Sequence, residues 1–237
     1  RTRVLIVGCG DVGLRLASVL PTRVRVMALT SSPQRKADLR AQGLVPLTGN
    51  LDQPASLARL AGLAQRVVHL APPPVHGRTD TRTRYLLQAL QRRSPPRQLV
   101  YASTTGVYGD CGGALVTEAR VPHPQSARAR RRVDAERVIA RAAKRRHWHA
   151  SALRAPGIYD ADRLPIARLQ AGTPAFTPED DVYTNHIHAE DLAAMCVAAL
   201  RSRRTWRVYH ASDDSVLRMG DYFDLVADAF GLPRPPR

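Results

Sequence analysis

Along the chain, short apolar runs alternate with longer stretches at helical spacing. The first run, Val4-Leu5-Ile6-Val7, is unbroken and rich in β-branched residues, which suits a strand buried on both faces of a parallel sheet. A helix follows at roughly Asp11 to Val19, then a strand at Arg23 to Leu29, set off by Pro21 and Thr22. Ser32 and Pro33 make an N-cap and first-turn pair for a short helix over Gln34 to Gln42, ended by Gly43. Leu44 to Leu47 reads as a third strand, Pro54 to about Leu60 as a short helix, and Arg66 to Leu70 as a fourth strand. Ala71-Pro72-Pro73-Pro74 is a stiff loop that cannot pair into a sheet. A helix from about Thr79 to Arg92 then leads to a fifth strand, Gln98 to Ala102.

This alternation with short connections predicts an α/β fold with a doubly wound parallel sheet of Rossmann type. Past a long loop, Gly106 to Pro124, a basic helix from about Ser126 to Arg146 carries an apolar stripe of Ala135, Val138, Ile139 and Ala142. Trp148 to Leu153 is a sixth strand, and beyond Pro156 the pattern loosens into short elements. Asp181 to Ile187, a helix Glu190 to Leu200, a strand Arg207 to Ala211 and an amphipathic helix Met219 to Phe230 complete the chain. The expected division is a nucleotide-binding core over 1–155 and a C-terminal part over 156–237. That part is mostly a substrate lobe, with a helix at 188–204 packing back on the core.

The candidate chemistry begins in the turn after the first strand, where Gly8, Gly10 and Gly13 fall at the spacing G-x-G-x-x-G. Gly8 permits a tight turn, Gly10 lets a pyrophosphate approach the backbone, and Gly13 lets the helix pack close to the strand. Asp11 and Val12 open that helix, whose N–H groups and dipole favour an anion. About twenty residues on, where an acidic residue would take the ribose 2′-hydroxyl, stand Thr30-Ser31-Ser32-Pro33-Gln34-Arg35 without a carboxylate. Three hydroxyls and Arg35 suit a 2′-phosphate, so the expected cofactor is NADP, with NAD as the alternative. The same residues also suit a capped helix start. Asn50 and Asp52, flanking Leu51, are candidates for the adenine or for the turn itself.

Composition narrows the classes. No run approaches the roughly 18 apolar residues of a membrane span, and the chain enters a strand at once with no targeting peptide in view. Three widely spaced cysteines, Cys9, Cys111 and Cys196, imply a reducing cytoplasm rather than a disulfide framework. The net charge of +16 invites a nucleic-acid partner, yet only two of the 36 basic residues are lysine (Lys36 and Lys144). With no aromatic residues interleaved to stack bases, a solvated basic surface is the favoured account and a small-molecule substrate the favoured partner.

Four stretches together resemble an atypical extended short-chain dehydrogenase/reductase of the nucleoside-diphosphate-sugar epimerase-like group, within the NAD(P)-dependent epimerase/dehydratase family. They are Gly8 to Gly13, Tyr101-Ala102-Ser103-Thr104-Thr105-Gly106-Val107-Tyr108-Gly109, Leu153 to Tyr159, and His186-Ile187-His188-Ala189-Glu190-Asp191-Leu192-Ala193. The resemblance implies that Thr104 is the catalytic hydroxyl, with Ser103 beside it. It also implies that His69 to Pro74, including Leu70, Ala71 and Pro72, line the cofactor's ribose, and that Pro156 lies beside the nicotinamide.

The departures are as informative. The family's general acid/base Tyr and its Lys four residues later align with Arg128 and Arg132. Arginine cannot donate and accept the proton, because its pKa exceeds about 12 and it offers no acceptor. Arg132 remains a candidate for ribose or phosphate, and Arg128 for an anionic, nucleotide-sugar-like substrate; both are expected to face inward. Tyr108, Tyr159 and His186 are candidates to move the proton or line the cleft. His186 and His188, two apart in an extended segment, also read as a weak metal pair or as a helix cap. Enzyme and non-catalytic NADP(H)-binding module both stay open, and nucleic-acid binding is the third reading. The resemblance further implies a homodimer through the helices starting near Thr79 and Ser126.

Overall fold

The computed structural model describes residues 2–237. Its centre is β1 (Arg3–Val7), in which Val4 to Val7 are all buried. α1 (Asp11–Val19), β2 (Arg25–Thr30), α2 (Lys36–Ala41) and β3 (Val45–Thr48) extend the fold to one side. β4 (Arg66–His69), α3 (Thr81–Leu90), β5 (Gln98–Thr104), α4 (Ala127–Arg146) and β6 (His149–Ala155) extend it to the other. The remainder holds β7 (Gly157–Tyr159), α5 (Ile166–Gln170), β8 (Tyr183–Thr184), β9 (His186–His188), α6 (Ala189–Ala199), β10 (Trp206–His210), β11 (Leu217–Arg218) and α7 (Met219–Ala229).

Seven strands form one sheet in the order β10-β6-β5-β4-β1-β2-β3, every pair parallel. The chain winds outward from β1 through β2 and β3, then crosses to β4 on β1's other side. The strand order therefore reverses between β1 and β4, where open parallel sheets bind ligands at the carboxyl edge. One face buries Leu5, Val67, Leu99 and Tyr101 against α3 and α4, including Leu86, Leu90 and Ile139. The other buries Ile6, Val68 and Val100 against α1 and α6, including Leu16, Leu192 and Cys196. A separate cluster of Leu169, Phe223, Val226 and Ala227 forms the core of the small lobe. β10 follows α6, which packs on the core, and lies beside β6, so residues 206–210 belong to the main sheet.

Local chemistry sets the boundaries. The Asp80 carboxylate accepts from Thr83 N to start α3, and Ser126 Oγ accepts from Ala129 N to start α4. Val24 N donates to Pro21 O in a turn, so the second strand begins at Arg25, two residues later than its apolar pattern predicts. Pro33–Arg35 is a 3-10 turn ahead of α2 rather than a continuous helix, and Pro54–Leu60 is likewise 3-10. β5 runs on to Thr104 because it pairs with β6 through Thr104 and Ala155. That pairing places both Ser103 and Thr104 at the end of a strand instead of in the following loop.

Beneath β4 and β5 lies a polar seam. His69 Nε2 meets Thr83 Oγ1 at 3.0 Å, and Thr83 Oγ1 donates to Asp80. Burial, with a smaller push from Arg132, drives the His69 pKa down to about 3. An unfolded histidine titrates near 6.5, so below that pH the unfolded chain holds the extra proton and stability falls towards pH 3. This group contributes a slope of up to about 1.4 kcal/mol per pH unit over that window. Urea unfolding of His69→Gln is expected to lose stability less steeply between about pH 6.5 and 4 than the parent.

Candidate active site

The turn after β1 is built around an intimate backbone contact. Gly8 sits at φ +86°, and a Cβ there would lie 2.5 Å from Ala71 N, so no other residue fits. Leu70 N and Ala71 N both donate to Val7 O, at 2.8 and 3.0 Å, tying the exit of β4 to the end of β1. Gly13 packs its α-carbon towards Cys9 Sγ and Ile6 Cγ2, each 3.3 Å from a notional Cβ, which brings α1 onto the strand. Gly10 is different: a Cβ there would meet nothing within 4 Å. Its side faces open space at the N-terminus of α1, next to the amides of Asp11 and Val12, where an anion is favoured. Burial pushes the Cys9 thiol up to about 11, so the turn carries no thiolate.

The rim of this turn gathers most of the other cofactor candidates. Arg35 Nη1 donates to Cys9 O at 2.8 Å, which lays a half-buried guanidinium beside the glycines. Thr30 Oγ1 accepts from Ser32 N at 3.2 Å, and Ser31 is exposed. Asn50 Oδ1 accepts from Asp52 N, making the turn, while Leu51 is buried. Asp52 is held in a two-bond pair by Arg82, whose Nη1 also reaches Pro72 O. Arg82 thus links the loops after β3 and β4, and the Asp52 carboxyl is held below its usual range by that pairing.

At the end of β5, Ser103 and Thr104 point to opposite faces, as neighbours in a strand must. Thr104 is half-buried, and its Oγ1 accepts from Gly106 N at 3.2 Å. Ser103 is buried and donates to Glu136 Oε1 of α4. Arg154 of β6 holds the same carboxylate through Nε at 3.1 Å and Nη2 at 2.7 Å. Arg154 Nη1 donates to the Tyr108 hydroxyl at 2.7 Å, and that hydroxyl lies 2.6 Å from His210 Nε2. Tyr108 and His210 thus form a neutral hydrogen-bonded pair, in which the imidazole tautomer sets which of the two donates. Burial raises the Tyr108 pKa and lowers that of His210, in keeping with this neutral pair.

Glu136 and His210 carry no motif that singles them out. Glu136 did leave one trace: a carboxylate one position from Ala135, on the inward side of a helix, demands a buried partner.

Arg128 and Arg132 do not form the expected inward-facing pair. α4 buries Ala129, Arg132, Glu136, Ile139 and Ala143, and Arg128 is exposed in the first turn. Four-residue spacing drifts by about 40° per step from a 3.6-residue helix, which carries position 128 out of the seam. Arg132 is buried, and its Nη1 donates to the Tyr101 hydroxyl at 3.0 Å and Ala102 O at 2.6 Å. Its Nε has no partner. Arg131, also buried, donates to Gly77 O.

On the lobe side, Pro156 leads into β7, which pairs with β9 through Tyr159 and His188. The His186 ring stacks on Tyr222 at 4.1 Å, and Tyr159 meets both His186 and His188 edge-on. His188 Nδ1 accepts from Glu190 N at 3.4 Å and caps α6. Arg15 binds Asp11 at 2.9 Å, Glu190 at 3.1 Å and Asp160, while Arg163 reaches Asp11 at 3.0 Å. This ionic cluster joins α1, α6 and the segment after β7 beside the glycine turn.

The two glycines have separable consequences. Gly8→Ala is expected to cost more than about 2 kcal/mol by denaturant unfolding, from positive φ and the collision with Ala71. Gly10→Ala is expected to change stability by less than about 1 kcal/mol, while its methyl weakens NADPH binding at least about tenfold in a fluorescence titration.

Comparison with known proteins agrees with this geometry. The profile of the NAD dependent epimerase/dehydratase family matches residues 4–211. A functionally unknown conserved protein from Silicibacter pomeroyi is 27% identical with a TM-score of 0.82, covering 100% of this chain and 81% of its own. A protein of Methylobacillus flagellatus, provisionally named an NAD-dependent epimerase/dehydratase, is 26% identical with a TM-score of 0.76, covering 100% and 84%. The UDP-glucose 4-epimerase of Thermus thermophilus, solved with NAD, shares the fold at 21% identity and a TM-score of 0.80, covering 100% and 86%. No curated protein matches the chain. With residues 4–211 under the profile and the glycine turn at the strand-order reversal, the chain belongs to the NAD-dependent epimerase/dehydratase family.

Proposed function

We propose that the protein binds NADP at the Gly8–Gly13 turn and acts as an oxidoreductase or epimerase on a small anionic substrate of nucleotide-sugar type. The observation that carries the nucleotide site is the open space over Gly10, framed by the rigid Gly8–Ala71 contact and the amides opening α1. The preference for NADP rests on Arg35, already turned to the glycine loop, with Thr30 and Ser31 nearby and no carboxylate at that position. The nicotinamide supplies or accepts the hydride when bound.

In this reading Thr104 hydrogen-bonds the reacting oxygen at the sheet's carboxyl edge, and Ser103 is committed to Glu136. Tyr159 and His186 serve as substrate contacts on the lobe side, and Arg128, exposed in the first turn of α4, takes the substrate's anionic group. The Tyr108–His210 pair is the proton-bearing group with acid/base capacity next to that edge. Structures similar to this chain hold UDP-sugars, UDP-glucuronic acid among them, which supports the substrate class. Among the described residues no helix is long and apolar enough to cross a membrane. Three free cysteines fit a reducing, cytoplasmic setting.

A second reading has its own support. Arg132, which the resemblance aligns with the family's lysine, spends Nη1 on Tyr101 and Ala102, which suits a binding protein that has given up turnover. The two readings separate in a panel of UDP-sugars and carbonyl compounds followed at the nicotinamide absorbance. Turnover is expected, and Thr104→Ala should lower it at least about a hundredfold with NADPH affinity kept within about twofold. Parent turnover absent across the panel, with NADPH still bound, favours the binding protein.

Arg35→Ala is expected to weaken NADPH about 10- to 100-fold and NADH little, as loss of a charge-assisted phosphate contact requires. Equal losses for both nucleotides would remove the NADP preference.

A further inference from the structure

The molecule carries its charge at two poles. The segments that lead into β2 to β6 and β10, each the end of the preceding helix with the loop after it, lack Asp and Glu altogether: residues 20–25, 40–45, 59–66, 91–98, 143–149 and 200–206. These stretches hold Arg92, Arg93, Arg97, the run Lys144-Arg145-Arg146, and Arg201, Arg203 and Arg204, all exposed. Because all seven strands are parallel, these connections meet at one edge, the amino edge, opposite the glycine turn. The acidic groups cluster at the other edge and in the lobe, as Asp11, Asp52, Glu118, Asp160 and Asp213 show.

At the centre of the basic edge is a cavity of about 440 Å³ lined by Thr2, Gln65, Arg66, Arg97, Gln98, His147, His149 and Arg203. No carboxylate lines it, and Arg66, Arg97 and Arg203 have no ion-pair partner among the described residues. His149 Nδ1 is buried there without a hydrogen bond.

Neither coding bias nor helix dipoles account for this placement. A compositional excess of arginine would leave acidic residues on both edges. Dipoles favour cations in a helix's last turn, which covers Lys144, Arg145 and Arg146. Arg66 opens β4, and Arg97 and Arg203 lie in loops before β5 and β10. We propose that this amino edge docks the phosphodiester backbone of duplex nucleic acid, with Arg66, Arg97 and Arg203 each gripping a phosphate.

Arginine's planar fork suits phosphate oxygens, and several such contacts bind without reading sequence. Stacking on bases is not part of the interaction, because Trp148 is buried and Trp206 half-buried in the sheet. An anionic membrane is disfavoured: surface docking on lipid needs an apolar face, and Val19 is the large exposed hydrophobic at this edge. The nucleotide turn lies a strand's length away, so the two ligands bind together.

The test is fluorescence anisotropy of a labelled random duplex of about 20 base pairs over a salt series, with NADPH titrated in parallel. The expected slope of log affinity against log salt is about −3 or steeper. Arg97→Glu with Arg203→Glu should weaken the duplex at least about tenfold, flatten the slope by about 2 and leave NADPH affinity unchanged. Arg78→Glu with Arg120→Glu, the same charge change on exposed loops at the opposite edge, should shift binding by no more than about threefold. Should the first pair fail to fold, Arg97→Gln with Arg203→Gln gives the same ordering at a smaller amplitude. The proposal is overturned by three results: no duplex binding at low salt, equal losses in both pairs, or capture by phosphatidylserine vesicles in place of the duplex.

Discussion

The whole arrangement hangs on the absence of one side chain where two strands part. Gly8 lets the backbone of β1 turn sharply within contact distance of Ala71, and the two amides at residues 70 and 71 close on Val7 O. That closure keeps the strand ends level at the point where the sheet order reverses. A wider separation would leave the amides of α1 without a wall facing them, and Gly10 would open onto bulk solvent. The contact is thus both a packing solution and the device that shapes the groove.

Around that groove the family's parallel sheet is kept, and a set of buried polar groups fixes the end of β5. The buried Glu136 carboxylate gathers Ser103 and Arg154, and Arg154 in turn holds the Tyr108 hydroxyl. A buried ion pair of this kind is poor evidence of stability and better evidence of a defined geometry, since each charge would be costly alone. It orients Tyr108 on His210 while α4 and β6 stay in register with the end of β5. Arg132, close by, braces β5 from below rather than projecting above it.

Much of this is legible in the amino-acid sequence itself. The first strand is legible to within one residue and α1 at both ends, because an apolar run and a glycine turn bracket them and leave no room for slippage. The parallel sheet follows from repeated strand–helix alternation. The extent of β5 was hidden, because Ser103 and Thr104 look like loop residues until pairing with Ala155 extends the strand. Arg128 misled because four-residue spacing imitates helical spacing over one turn and departs from it over three. Glu136, Arg154 and His210 were silent for another reason: each acquires meaning only from partners 18 to 102 residues away.

The ionic knot beside the turn has a thermodynamic corollary. Asp11 would be among the first groups an arriving diphosphate meets; it pairs with Arg15 and Arg163, and Arg15 is shared with Asp160 and Glu190. An anion on the α1 amides competes for those same guanidinium groups, drawing them from carboxylates that anchor the segment after β7. Linkage is reciprocal, so displacement of that segment by a substrate must alter nucleotide affinity by the same factor. On the proposed nucleotide site, cofactor loading and the position of the segment after β7 would share one equilibrium, carried by five charged side chains.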